Sequence, residues 1–264
     1  MAAGPVAELH AWERGSGSHA VLCLHETGAT SAVWEPLAGL LAPSARVIAY
    51  DRPGWGRSPA PETYVRTTVG EQAALAEAVL ADRGAAPAVL IGAGLGAVAA
   101  LDLSIRSPNL VVGAVLVEPP VLAFVPEATE ALSEAAGLVR AAVAEGGREA
   151  AIERHRAGGL GVLSAGAERI PERARDHGEG AAQSLFAELA AVPAWELPLP
   201  EMSVASRPSV VVVGADTAPL VREAATRLTG ALTRSELREV GTGLPHHEQA
   251  ADLAALAVEV AESD

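Results

Sequence analysis

The sequence predicts an α/β fold with a mainly parallel central sheet, flanking helices and a helical cap inserted late in the chain. Three observations carry this. The runs Ala20–Leu24, Ala88–Ile91, Val111–Val117 and Val210–Val213 are continuously apolar, as strands buried on both faces require. Stretches of helical periodicity separate most of them, the signature of a parallel sheet with crossover helices. Between Val121 and about Pro200 the strand signal disappears.

Taken in order, Val6–Trp12 reads as an edge strand and Ala20–Leu24 as the first buried one. Trp34, Leu37 and Leu41 share one face of a helix over Ser31–Leu41. Arg46–Tyr50 is the next strand and runs into the turn-rich loop Asp51–Ser58. A helix follows over Val69–Asp82, then the strand Ala88–Ile91, a glycine turn and a small-residue helix over Leu95–Arg106. Val111–Val117 ends at Glu118-Pro119-Pro120. In the cap, Leu132, Ala135, Val139 and Val143 form a helical stripe, and Ile152–Arg156 and Ala181–Ala191 read as further helices. Pro193, Pro198 and Pro200 mark its exit. Val210–Val213 carries Gly214-Ala215-Asp216 at its tip, Ser235–Val240 is the last strand, and Glu248–Ala261 closes the chain with Leu253, Leu256, Ala257 and Val260 at helical spacing. The expected organisation is a core of residues 1–120 and 201–264 with a cap of residues 121–200.

Composition narrows the function. Half of the 264 residues are hydrophobic, enough for a sizeable core. The formal charge of −14 argues against nucleic acid and anionic membranes as partners. No apolar run reaches the roughly 18 residues of a membrane span. The first residues lack a basic start and an apolar stretch, so no signal peptide and a cytoplasmic location are expected. All 19 basic residues are arginine, which with the heavy use of Ala, Gly and Pro points to a GC-rich bacterial genome. Cys23 is the only cysteine, lies in an apolar strand and reads as core filler. It excludes an internal disulfide and a cysteine-rich metal site. His155 and His177 stand alone on polar stretches and read as solvated, so no metal and no cofactor are expected.

The motifs resemble the α/β-hydrolase superfamily. They are His25-Glu26-Thr27-Gly28 after a strand, the Asp51–Ser58 loop, Gly92-Ala93-Gly94-Leu95-Gly96, Gly214-Ala215-Asp216, and a glycine-rich turn before the final helix. They occur in the family's order and span nearly the whole chain outside the cap. The resemblance makes Gly92–Gly96 a nucleophile elbow, G-x-S-x-G, with Gly94 in the serine's position. Gly94 has no atom with which to attack a substrate. The turn Gly241-Thr242-Gly243-Leu244 has Leu244 where the family places its histidine, and His246 and His247 follow two and three residues later. Where the family commonly has His-Gly-x-Gly, Glu26 replaces the first glycine.

By this resemblance Asp216 is the carboxylate that would orient His246. The backbone N–H groups of Thr27 and Leu95 are oxyanion donors, and His25 orients its loop. Glu26, at the mouth of an apolar cleft, is a candidate general acid or base. The expected catalytic set is Asp216, His246 and Glu26. Trp34, Phe124, Trp195, His25 and His247 are the candidate substrate contacts, with Trp55 a further candidate wall; for each of the four aromatics ordinary core packing is the competing and stronger expectation. The expected ligand is a small apolar metabolite between cap and core. Three functions stay open. One is a non-covalent acid–base enzyme (cyclisation, isomerisation, lyase-type chemistry) tailoring a secondary metabolite. The second is hydrolysis by a water that His246 and Asp216 activate. The third is a non-catalytic receptor that uses the cleft for binding alone. A homodimer is the candidate self-association, and the sequence leaves the oligomeric state open.

Overall fold

The computed structural model describes residues 8–178, 180–241 and 249–263. Seven strands form one sheet: β1 (Ala11–Arg14), β2 (His19–Leu24), β3 (Ala45–Tyr50), β4 (Ala88–Ala93), β5 (Val111–Val117), β6 (Ser209–Gly214) and β7 (Ser235–Val240). Their spatial order is β1-β3-β2-β4-β5-β6-β7. β1 runs antiparallel to β3, and every other pair is parallel.

Because side chains alternate across a strand, each buried strand feeds two cores. Leu22, Leu24, Ile48, Tyr50, Leu90, Leu116 and Val211 face one core. There they meet α2 (Val69–Asp82), α3 (Leu95–Arg106) and α7 (Pro219–Ala231). Val21, Cys23, Val47, Val89, Ile91, Val115, Val210 and Val212 face the other, under α1 (Glu35–Leu41) and α8 (Ala250–Glu262). Cys23 is buried in β2, and burial pushes its thiol pKa up.

Several boundaries differ from the sequence reading. β1 begins at Ala11, pairing Ala11 with Tyr50 and Arg14 with Val47. This places Glu13 and Arg46 in an ion pair at the sheet edge. The helix expected over Ser31–Leu41 starts as a 3-10 turn, Ser31–Trp34, and becomes α-helical at Glu35, with Pro36 in the first turn. α2 opens on a capping box: Thr68 accepts from the Glu71 N–H while the Glu71 carboxylate accepts from the Thr68 N–H.

Between β5 and β6 no strand occurs among the described residues. α4 (Ala128–Arg156) absorbs both the Leu132 stripe and the helix expected over Ile152–Arg156. Its helical geometry breaks at Gly146 and Gly147, where Gly147 takes φ 72° and ψ −161°. The stripe is only partly inward. Ala135 is buried, whereas Val143 is 39% exposed and its neighbour Ala142 is the buried residue at that turn. α5 covers Ala181–Glu188, and the short α6, Leu199–Met202, leads back to the sheet. No helix among the described residues is long and apolar enough to cross a membrane.

Candidate functional site

A parallel sheet presents ligands at the carboxyl ends of its strands, and a cavity lies there. It measures about 120 Å³. Glu26 and Thr27 reach it from the loop after β2, Ala93, Gly94 and Leu95 from the β4–α3 turn, and Val117 and Glu118 from the end of β5. The segment between β5 and β6 supplies the far wall, with Leu132, His155, Leu163, Glu188 and Val192 among its residues.

The β4–α3 turn is tight for definite reasons. A Cβ on Gly92 would lie 2.3 Å from the Gly96 carbonyl oxygen, and one on Gly96 would lie 2.4 Å from the Leu24 carbonyl oxygen. Both positions therefore admit glycine alone. Between them Gly94 takes φ 53° and ψ −122°, and its N–H donates to the Val117 carbonyl at 3.0 Å. A Cβ on Gly94 would meet the Glu26 Cβ at 2.9 Å, closer than ordinary packing allows. The Glu26 side chain thus stands against the place where a side chain at residue 94 would begin. Its Oε2 atom is shielded from solvent. Leu95 opens α3, so its N–H has no acceptor within the helix.

His25 is buried behind this loop. Its Nε2 accepts from the Arg52 N–H at 2.9 Å, which assigns the ring proton to Nδ1, and Nδ1 donates to the Glu26 carbonyl at 2.8 Å. The ring locks the loop and does not line the cavity.

Below the cavity a buried polar cluster ties α5 to the sheet. The Glu188 carboxylate pairs with the Arg52 guanidinium through both Nη atoms. It also accepts from Trp55 Nε1 at 2.8 Å and Thr27 Oγ1 at 2.7 Å. Arg52 Nε donates to the His25 carbonyl at 3.1 Å. At the end of β5, Glu118 adopts φ 46°, a left-handed backbone rare for such a residue. Its carboxylate accepts from Thr217 Oγ1 at 2.5 Å and pairs with Arg169 at 2.9 Å.

Asp216 stands at the tip of β6 with its side chain 42% exposed, and Arg169 pairs with it at 3.1 Å. It does not line the cavity. Leu244, His246 and His247 lie outside the described residues. The aromatic walls are corrected as well. Trp34 is wholly buried in the core between the sheet and α1, because a large apolar ring at that register fills the layer rather than the cleft. Phe124 and Trp195 pack against the opposite core, and Trp195 Nε1 donates to Asp102 at 3.1 Å. Trp55 is fully buried in a cluster with Ile152, Leu160 and Leu185. None of the four is in the cavity wall.

His155 overturns its reading as a solvated side chain. It is 2% exposed and lines the cavity, while His177 is surface-exposed beside Glu172. Burial dominates and pulls the His155 pKa down to about 4, against an upward pull from its bond to Thr27; the nearby Arg156 charge adds a smaller downward pull. Glu118, His155 and Glu188 are the cavity residues that motif reasoning passed over. The flanking Glu153, Arg154 and Arg156 gave His155 the look of a solvated stretch. Among the described residues no cluster of three or more His, Cys, Asp or Glu could hold a metal.

This arrangement is that of an α/β-hydrolase. A model of the Alpha/beta hydrolase family matches residues 21–256, and the chain belongs to that family. The fold is similar to that of MenH from S. aureus, with a TM-score of 0.75 at 15% identity over 95% of this chain and 97% of that one. It is similar to a thermophilic esterase from Thermogutta terrifontis, solved with malate bound, with a TM-score of 0.71 at 18% identity over 95% and 92% of the two chains. An enol-lactonase from Burkholderia xenovorans LB400 gives a TM-score of 0.63 at 20% identity over 96% and 95%. At these identities the likeness is one of fold. No curated protein matches the sequence.

Proposed function

We propose that the protein is a non-covalent acid–base enzyme acting on a small, largely apolar metabolite held between the sheet and a cap of residues 121–200, in bacterial secondary metabolism. The contact between Glu26 and Gly94 supports this reading above all. A family member commonly carries glycine after the loop histidine and a serine at the elbow. Here the side chain stands on the other partner: the elbow is glycine, and Glu26 Cβ comes within 2.9 Å of the site that a residue-94 Cβ would take. Two departures from the pattern thus act as a single exchange. It removes the attacking hydroxyl and brings a carboxylate to the same corner of the cavity.

In this scheme the Glu26 carboxylate takes a proton from a carbon next to the substrate's carbonyl. The N–H groups of Thr27 and Leu95 hold the oxyanion that forms. Protonated Glu26 then returns the proton elsewhere, which completes an isomerisation, a cyclisation or an elimination. No acyl-enzyme forms. His246 and Asp216 would enter through a water they activate, the hydrolytic variant of the same site.

The second reading is a non-catalytic receptor. Glu188 and Glu118 favour it, because hydrogen bonds and arginine partners engage both carboxylates and hold them as structural groups.

Proton exchange separates the two. The protein is incubated in D₂O with a panel of small ketones and enol lactones, and deuterium entry beside the carbonyl is followed by NMR. The enzyme reading expects exchange that Glu26→Gln slows by about 100-fold or more, the usual contribution of a positioned base. Exchange that Glu26→Gln leaves untouched refutes it, as does a stoichiometric acyl adduct on the native chain by intact-mass spectrometry. No exchange with any member, together with saturable binding, supports the receptor.

A further inference from the structure

His155 comes from the end of α4, in the inserted segment, and its ring is buried in the cavity wall. Its Nε2 lies 3.4 Å from the Thr27 carbonyl oxygen. A carbonyl can only accept, so this contact puts the ring proton on Nε2. Nδ1 is then a bare lone pair. It is buried and has no hydrogen-bond partner among the described residues. A buried acceptor left without a donor is costly, and native structures rarely keep one without a reason.

The charged groups acting on the ring are Arg156 and Glu26, from its own helix and from the loop after β2. Desolvation dominates both and holds the ring neutral at pH 7. A neutral ring with Nε2 engaged offers a ligand one polar function, the Nδ1 lone pair. Two of the cavity's carboxylates are already engaged within the protein. Glu188 receives four protein donors, and Glu118 receives Thr217 and Arg169.

From this geometry we infer that His155 is a specificity-determining residue whose Nδ1 accepts a hydrogen bond from a hydroxyl or N–H group of the ligand. The inference rests on the cavity being the ligand site and deepens it. The ligand is a small apolar molecule with a protic donor, not an unfunctionalised hydrocarbon or a molecule with acceptors alone. The imidazole at this site comes from the insertion after β5, a different part of the chain from the loop preceding α8.

The probes are phenol, which carries a donor, and fluorobenzene, which has nearly the same shape and none. Cavities of about 150 Å³ admit a benzene ring, and this one is of that scale. Both are titrated into the full chain labelled with ¹⁵N-histidine, with His155→Gln used to assign the ring. Phenol is expected to move the His155 Nδ1 resonance at pH 7, and fluorobenzene to leave it. The native protein should prefer phenol by about fivefold, the worth of one net hydrogen bond. His155→Phe, which keeps the ring volume, should bring that ratio close to one. Thermal melts of both variants confirm folding. An Nδ1 resonance that phenol does not move up to its solubility limit overturns the inference. So does a preference that survives in His155→Phe. The phenol titration is repeated in Glu26→Gln. An Nδ1 response that persists there, when proton exchange has failed in the native chain, leaves His155 standing and removes the acid–base reading alone.

Discussion

A double-mutant cycle between residues 26 and 94 tests the contact at the centre of the site. Gly94→Ala places a side chain on a backbone with φ 53° and ψ −122°, a sparsely populated region. Such strain costs about 1–3 kcal/mol. The new Cβ also meets Glu26 Cβ at 2.9 Å, well inside ordinary contact, and overpacking of this kind costs about 1–3 kcal/mol more. The single variant should therefore lose about 2–6 kcal/mol. Glu26→Gly removes the opposing atom, so the overpacking part vanishes in the double variant while the backbone strain remains. The coupling energy should be about 1–3 kcal/mol. Glu26→Ala is the informative control, because alanine keeps Cβ and the clash with it; its coupling to Gly94→Ala should be near zero. Urea denaturation followed by circular dichroism supplies the four stabilities, with equal m-values required. Additivity of Glu26→Gly and Gly94→Ala within about 0.5 kcal/mol would refute the packing argument.

Three more outcomes are expected. Glu188→Ala strands the fully buried Arg52 charge along with the Trp55 and Thr27 donors; the loss should be about 3–5 kcal/mol, seen in calorimetry as a Tm lowered by about 6–20 °C, and a fall of under about 3 °C would contradict it. His155 has its folded pKa depressed from 6.5 to about 4, so the unfolded chain binds the extra proton between those values. Stability from this group is intact above pH 6.5 and falls away as the pH drops toward 4, by about 3 kcal/mol in all. The difference between native protein and His155→Phe across that window measures it, and parallel pH profiles would disprove the assignment. Finally, Gly94→Ser alone should stay inert toward p-nitrophenyl acetate, whereas Glu26→Gly with Gly94→Ser should form an acetyl-enzyme, provided His246 and Asp216 serve the new hydroxyl; an acetyl adduct on the single variant by mass spectrometry contradicts the steric account.

Much of the fold was legible because its signals are local. Continuously apolar runs marked β2, β4, β5 and β6, and the glycines at 92, 94 and 96 marked the turn where two backbones nearly touch. The inserted segment was harder. Alanine carries little information about which face is buried, so the Leu132 stripe gave a helix without its true inward side. The Gly146-Gly147 pair inside α4 was invisible to periodicity. Long-range pairs were also hidden: Arg52 and Glu188 lie 136 positions apart, and nothing near either names its partner. Large aromatic residues carry two readings. Trp34, Phe124, Trp195 and Trp55 read either as cleft walls or as core, and packing decides: Trp34 and Trp55 are wholly buried, while Phe124 and Trp195 lie half-buried against the core. The signal for His155 existed in a weaker form, as Ile152 three residues before it on the face that turns inward.

The contact between residues 26 and 94 also constrains how such a site can arise. Four combinations exist, with a side chain or a bare glycine at each position, and only the one with side chains at both brings two Cβ atoms within 2.9 Å. A lineage moving between the serine arrangement and the present one meets that crowded state if it gains the carboxylate first. It avoids it if the elbow becomes glycine first, passing through a chain with glycine at both places. On the proposed reading, the easier route makes residue 94 glycine before residue 26 gains its side chain, so one contact sets the order of the two changes.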